Sequence, residues 1–136
     1  MNINYIRSQI TTHYKEKKEE YLRSKNKRRN DLWLKYYSSQ EWKTLRNNYY
    51  QLHPCCEVCA RQDKIVSADE VHHKHKFSSG LTEEAKWRLL LNSNNLISLC
   101  TYHHDIAHKY MKEYNTDVAD IDDILYYEDK LNKIVQ

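Results

Sequence analysis

Residues 95–104 read Asn95-Leu96-Ile97-Ser98-Leu99-Cys100-Thr101-Tyr102-His103-His104, and His108 stands one helical turn beyond His104. The apolar run Leu96–Leu99 has the length of a strand. His104 and His108 share a helix face, so a helix is expected from Cys100 or Tyr102 onward. The strand therefore runs into Cys100-x-x-His103, whose two-residue spacer lets both side chains reach one ion. Earlier in the chain Cys56-x-x-Cys59 makes a second such pair. Thiolate and imidazole suit tetrahedral zinc, and a structural zinc site is closed by four protein ligands. Cys56, Cys59, Cys100 and His103 supply four. The alternative is a redox Cys-x-x-Cys or a free buried thiol, and the second pair argues against it. Cys55 competes with Cys56, but the spacing to Cys59 favours Cys56.

The remaining histidines form a second constellation: His72 and His73 in Glu70-Val71-His72-His73, with His104 and His108. Adjacent side chains on a strand face opposite sides. A regular strand would thus bring only one of His72 and His73 to a given site. A twist at its end would let both serve it, one as metal ligand and one as general base. On a helix His103 and His104 lie about 100° apart and can serve different ions.

Around these motifs the chain reads as helices and short strands. Lys64–Val66 and Glu70–His73 are expected strands separated by a polar turn. Ser38–Ser39 opens a helix with Trp42, Leu45, Tyr49 and Leu52 on one face, and His53–Pro54 stops it. Thr82-Glu83-Glu84 opens a short helix running to Leu91. Residues 5–29 read as a polar helix with a thin stripe of Tyr5, Ile6, Ile10, Tyr14, Tyr21 and Leu22. Residues 117–136 read as an amphipathic helix carrying Ile121, Ile124, Leu125 and Leu131, which packs back or meets a partner.

The 136 residues suit one compact domain with extensions. A single glycine, Gly80, excludes a glycine-rich phosphate loop. No stretch approaches the roughly 18 apolar residues of a membrane span. The start, MNINYIRSQI, lacks a signal-peptide core, so a cytosolic location is expected. The net charge of +3 is unevenly spread. Residues 1–50 hold 12 Lys and Arg against 5 Asp and Glu, and residues 113–136 hold 2 against 7. A basic first third suggests either a polyanionic partner, with Lys25, Lys27, Arg28 and Arg29 as DNA contacts, or a solvated helix face. The acidic end suggests a protein partner.

Residues 37–109 resemble the HNH endonucleases common in phages and prophages. The resemblance rests on Tyr37-Ser38-Ser39-Gln40-Glu41-Trp42-Lys43-Thr44-Leu45-Arg46, Cys56-Glu57-Val58-Cys59, Glu70-Val71-His72-His73 and Asn95 to His104, in that order. It covers about half the chain. It implies an α+β fold of the ββα-metal type, a two-stranded hairpin and a helix gripping a catalytic ion beside the structural zinc, flanked by terminal helices. His73 then takes the place of the general base and His72 that of the first catalytic-metal ligand, often Asp in the family. Asn95 matches the Asn that braces the loop and positions the base. His104 matches the last His, a metal ligand, and His108 a further ligand in the nuclease-toxin branch. Two departures stand out. His103 occupies a zinc position that is usually Cys, and Lys74-His75-Lys76 replaces an aliphatic residue and Lys-Pro, which makes His75 another candidate ligand.

The implied function is metal-dependent hydrolysis of DNA phosphodiester bonds in a bacterial or phage-infected cell, with one catalytic divalent cation (Mg²⁺, Mn²⁺, Ni²⁺ or Zn²⁺). Such hydrolysis needs an activated water and stabilised phosphate and leaving oxygens. A neutral imidazole can supply the first and a divalent ion the others. The expected organisation is a basic helical extension over 1–36, a nuclease domain over 37–112 and an acidic helical tail over 113–136. The rival readings are a zinc-stapled DNA-binding module and a phage accessory factor, neither cleaving DNA.

Overall fold

The computed structural model describes the backbone of residues 3–135 and the side chains of residues 12, 13 and 15–134. Tyr5, Ile6, Ile10 and Tyr14 of the expected stripe lie outside the described side chains. The chain divides into two compact units, Met1–Ser38 and Ser39–Gln136.

The first unit is a long helix, α1 (Ile3–Leu32), ended by a π-helical turn at Trp33–Tyr37. Every described side chain from Thr12 to Asp31 is exposed, Tyr21 and Leu22 included. With so few apolar residues in a polar sequence, this helix has no wide stripe to bury.

The second unit is mixed α and β, mostly helical. It contains α2 (Gln40–Leu52), α3 (Glu57–Arg61), β1 (Glu70–His73), α4 (Glu83–Leu90), β2 (Leu96–Leu99), α5 (Thr101–Glu113) and α6 (Ile121–Val135), with 3-10 turns at Phe77–Ser79 and Ser93–Asn95. β1 and β2 pair antiparallel, Glu70 opposite Leu99 and His73 opposite Leu96. The chain segment between them carries α4 and both 3-10 turns rather than a tight hairpin loop.

Local chemistry sets the ends of these elements. The Ser39 side chain accepts from the Trp42 amide to cap α2, and His53, ahead of Pro54, leaves the helical region. Thr82 caps α4 through the Ala85 amide. Asp120 and Asp123 exchange side-chain bonds with each other's amides at the start of α6.

The expected strand at Lys64–Val66 does not form. After Cys59 the chain turns back sharply, with the Gln62 and Lys64 amides both donating to the Cys59 carbonyl and Asp63 at φ 61. Asp tolerates this left-handed conformation. The Val66 carbonyl accepts from the Cys56 amide, and the segment's one sheet-like contact is an isolated bridge between Cys55 and Ser67. Ile65 is 93% exposed, so β-branched residues here wrap a turn and have no strand to pair with.

All of β2 is buried. Ile97 and Leu99 join Val58, Ile106, Ala107, Ala119, Ile124 and Tyr127 in one core, where α3 and α5 meet the sheet and α6 packs on both helices. The acidic C-terminal helix thus takes the first of its two expected courses and packs back.

Candidate metal centres

Cys56, Cys59, Cys100 and His103 are buried and lie close together, as their paired spacing predicts, and could bind a metal such as zinc. The His103 Nδ1 atom is 3.5 Å from the Cys56 sulfur, 3.3 Å from that of Cys59 and 3.4 Å from that of Cys100. The Cys59 and Cys100 sulfurs are 3.9 Å apart. Tetrahedral zinc, with Zn–S near 2.3 Å and Zn–N near 2.0–2.1 Å, sets S···S at about 3.8 Å and S···N at about 3.6 Å. The donor set therefore fits. Burial and the neighbouring Cys56 and Cys100 push the Cys59 thiol up to about 12. Burial likewise raises Cys100. Crowded sulfurs resist ionising together, and a bound cation reverses this by replacing their protons. Cys55, half-buried, is outside the group.

The knuckle is tied to the sheet. The Glu57 carboxylate accepts from the Tyr49 hydroxyl at 2.6 Å and the Ser98 amide at 2.7 Å. Burial, with this carboxylate, raises Tyr49 above its ordinary pKa and keeps it a donor.

The second group is His72, His104 and His108, whose ligand atoms lie within 4.8 Å of one another. His72 comes from β1, and the other two share a face of α5. The Nε2 atoms of His104 and His108 are 3.0 Å apart. His72 Nε2 is buried without a hydrogen-bond partner. Burial, then His104, His108 and His73, lowers His72 to about 3. Burial also lowers His108, with His104 and Lys76 adding to the effect. His72 is buried, His104 half-buried and His108 exposed, so this group opens to solvent where the thiol group is closed.

His73 is adjacent in sequence but not in this group. Its ring packs on Trp42, at 4.7 Å between centroids, and on Phe77 at 5.4 Å. Its Nε2 is 3.1 Å from the Leu90 carbonyl. A carbonyl only accepts, so Nε2 carries the proton and Nδ1 the lone pair. Burial lowers the His73 pKa, which keeps the ring neutral. The two rings have different neighbours, His72 meeting His104 and His108 of α5 and His73 meeting Trp42 of α2.

Asn95 clamps the loop that follows β1. Its Oδ1 accepts from the His75 amide at 2.8 Å, and its Nδ2 donates to the His75 and Leu89 carbonyls. The His75 ring meets the Ser79 hydroxyl at 3.1 Å and is not in the three-histidine group. Lys25, Lys27, Arg28 and Arg29 are exposed on α1, in the first unit.

Sequence reasoning missed Glu128. Its Oε2 is 2.7 Å from His103 Nε2, and Gln62 bonds its other oxygen. The available signal was a carboxylate among the apolar positions Ile124, Leu125, Tyr127 and Leu131 of α6. No described helix is long and apolar enough to cross a membrane. Comparison of this chain with protein-family models, with curated proteins and with solved structures finds no match.

Proposed function

We propose that this chain is a metal-dependent DNA endonuclease of the HNH type, with a ββα-metal core formed by β1, β2 and α5. The observation that carries the reading is the convergence of His72, His104 and His108 at an open site, with a nitrogen of His72 buried and unpartnered. Three protein ligands and an open side are what a catalytic ion needs, whereas the closed Cys56, Cys59, Cys100 and His103 set suits structural zinc.

In this reading His72, His104 and His108 hold one divalent cation. Bound there, such an ion supplies Lewis-acid stabilisation of the phosphate and the leaving oxygen. His73 accepts the proton of the attacking water at Nδ1, while the Leu90 carbonyl fixes the tautomer. Trp42 and Phe77 pack on the ring, and burial keeps it neutral. Asn95 holds the loop after β1 in register with the sheet. In this reading Lys76, whose charge acts on His108, adds a cation near the site. The basic cluster on α1 adds phosphate contacts without sequence preference.

A DNA-binding module without cleavage is the second reading. It is favoured by the position of His73, which sits with Trp42, Phe77 and Leu90 and not with the other three histidines. Nicking of supercoiled plasmid with a divalent ion, abolished by EDTA, separates the two: the endonuclease nicks and the module only binds.

A further inference from the structure

Among the described residues Glu128 is the only buried Asp or Glu. A buried carboxylate is costly unless it is paired and hydrogen-bonded, and both oxygens of Glu128 are used. Oε2 is 2.7 Å from His103 Nε2, and Oε1 accepts from the Gln62 side chain. Gln62 caps α3, which carries Cys59. Glu128 therefore links His103 on α5 to Gln62 at the end of the helix that carries Cys59. It does so from α6, beyond the stretch that carries the metal-binding motifs.

A neutral imidazole has one N–H. A carboxylate can only accept, so the contact with Glu128 places that proton on Nε2 and leaves Nδ1 with its lone pair. Nδ1 is the atom that faces all three sulfurs. The opposite tautomer would point a proton at them. The carboxylate also raises the basicity of the imidazole as a ligand.

We propose that Glu128 is a positioning residue of the zinc centre, fixing His103 as an Nδ1 ligand and making the C-terminal helix part of the metal site. The proposal rests on reading Cys56, Cys59, Cys100 and His103 as a zinc site, and not on nuclease activity.

The test uses the full-length chain and zinc alone. Apparent zinc affinity is measured by competition with a chromophoric chelator for the wild type, Glu128→Gln, Glu128→Ala and Asp129→Asn. Asp129→Asn is a control for an exposed acid on the same helix. Loss of such an outer partner costs about 10–100-fold in metal affinity. Glu128→Ala should fall in that range and Glu128→Gln near its lower end, with Asp129→Asn unchanged. Glu128→Gln is close in shape and keeps the packing, and circular dichroism at saturating zinc confirms its fold. The second readout is the imidazole ¹⁵N–¹H spectrum of zinc-loaded protein. His103 should show a metal-bound Nδ1 and a far-downfield Nε2 proton that moves upfield in Glu128→Gln, a signal that packing alone would not move. Wild-type zinc affinity in Glu128→Gln and Glu128→Ala, or an unmoved Nε2 proton, overturns the proposal. A wild-type chain that binds no zinc overturns the zinc reading and the proposal together.

Discussion

The Nε2 atoms of His104 and His108, one turn apart on α5, lie 3.0 Å from each other. Two imidazole nitrogens at that distance must share a proton or a cation, since two protons would clash and two lone pairs repel. His72 brings a third nitrogen from the strand to the same place.

A cation held in this way should be weakened by removing one ligand. His104→Ala should keep its zinc and its fold and nick DNA more slowly at low ion concentration. Raising Mg²⁺ or Mn²⁺ should recover part of the rate. Activity titrated against each ion checks this, and an ion dependence identical to wild type contradicts the assignment.

His73 should fail differently. Its loss removes a proton acceptor, so His73→Ala should lose about 10²–10⁴-fold in rate, with no rescue by more metal. Added imidazole should restore some of it. His73→Phe preserves the packing against Trp42 and Phe77 and guards against a folding defect. Single-turnover rates at saturating ion decide the matter. Wild-type rates in both variants would move the base to His72 or His75.

One zinc per chain is expected in protein purified without chelator. Cys59→Ser and Cys56→Ser should each unfold the second unit, because zinc binding here is folding free energy. Cys55→Ser should be close to neutral, since Cys55 lies outside the cluster. Metal analysis with thermal unfolding reads all three.

Stability should fall in acid. Burial holds His72 and His73 below the ordinary histidine value near 6.5, His72 down to about 3. Below about pH 6.5 the unfolded chain takes up protons that the folded chain refuses, so this stability is present above that pH and lost as pH falls. For His72 the loss is about 2 kcal/mol by pH 5. Urea midpoints of zinc-loaded protein at about pH 7.5 and about pH 5 should differ, and His72→Gln should flatten the difference. An equal drop in that variant would assign the acid sensitivity to other groups.

The cluster of Cys56, Cys59, Cys100 and His103 was legible in sequence because its two pairs are spaced locally. Cys56-x-x-Cys59 and Cys100-x-x-His103 need only a turn and a helix start to present both side chains. The separate surroundings of His72 and His73 were legible only as one of two outcomes, since a regular strand parts adjacent side chains and a twisted end lets both serve one site. Lys64–Val66 misled because β-branched composition says nothing of whether a partner strand exists. Glu128 was hidden for a different reason. It stands 25 residues from His103 in an acidic segment where a carboxylate reads as solvated surface, and only the packing of α6 on α5 brings the two together.

The most direct measurement is plasmid nicking by zinc-loaded wild type beside a His104→Ala/His108→Ala double variant, in Mg²⁺, Mn²⁺, Ni²⁺ and Zn²⁺, each with and without EDTA. The expected result is EDTA-sensitive nicking by the wild type with at least one ion and none by the double variant, with zinc content and DNA binding equal in both. A wild-type chain that binds DNA and never nicks it in any of the four ions would contradict the endonuclease reading.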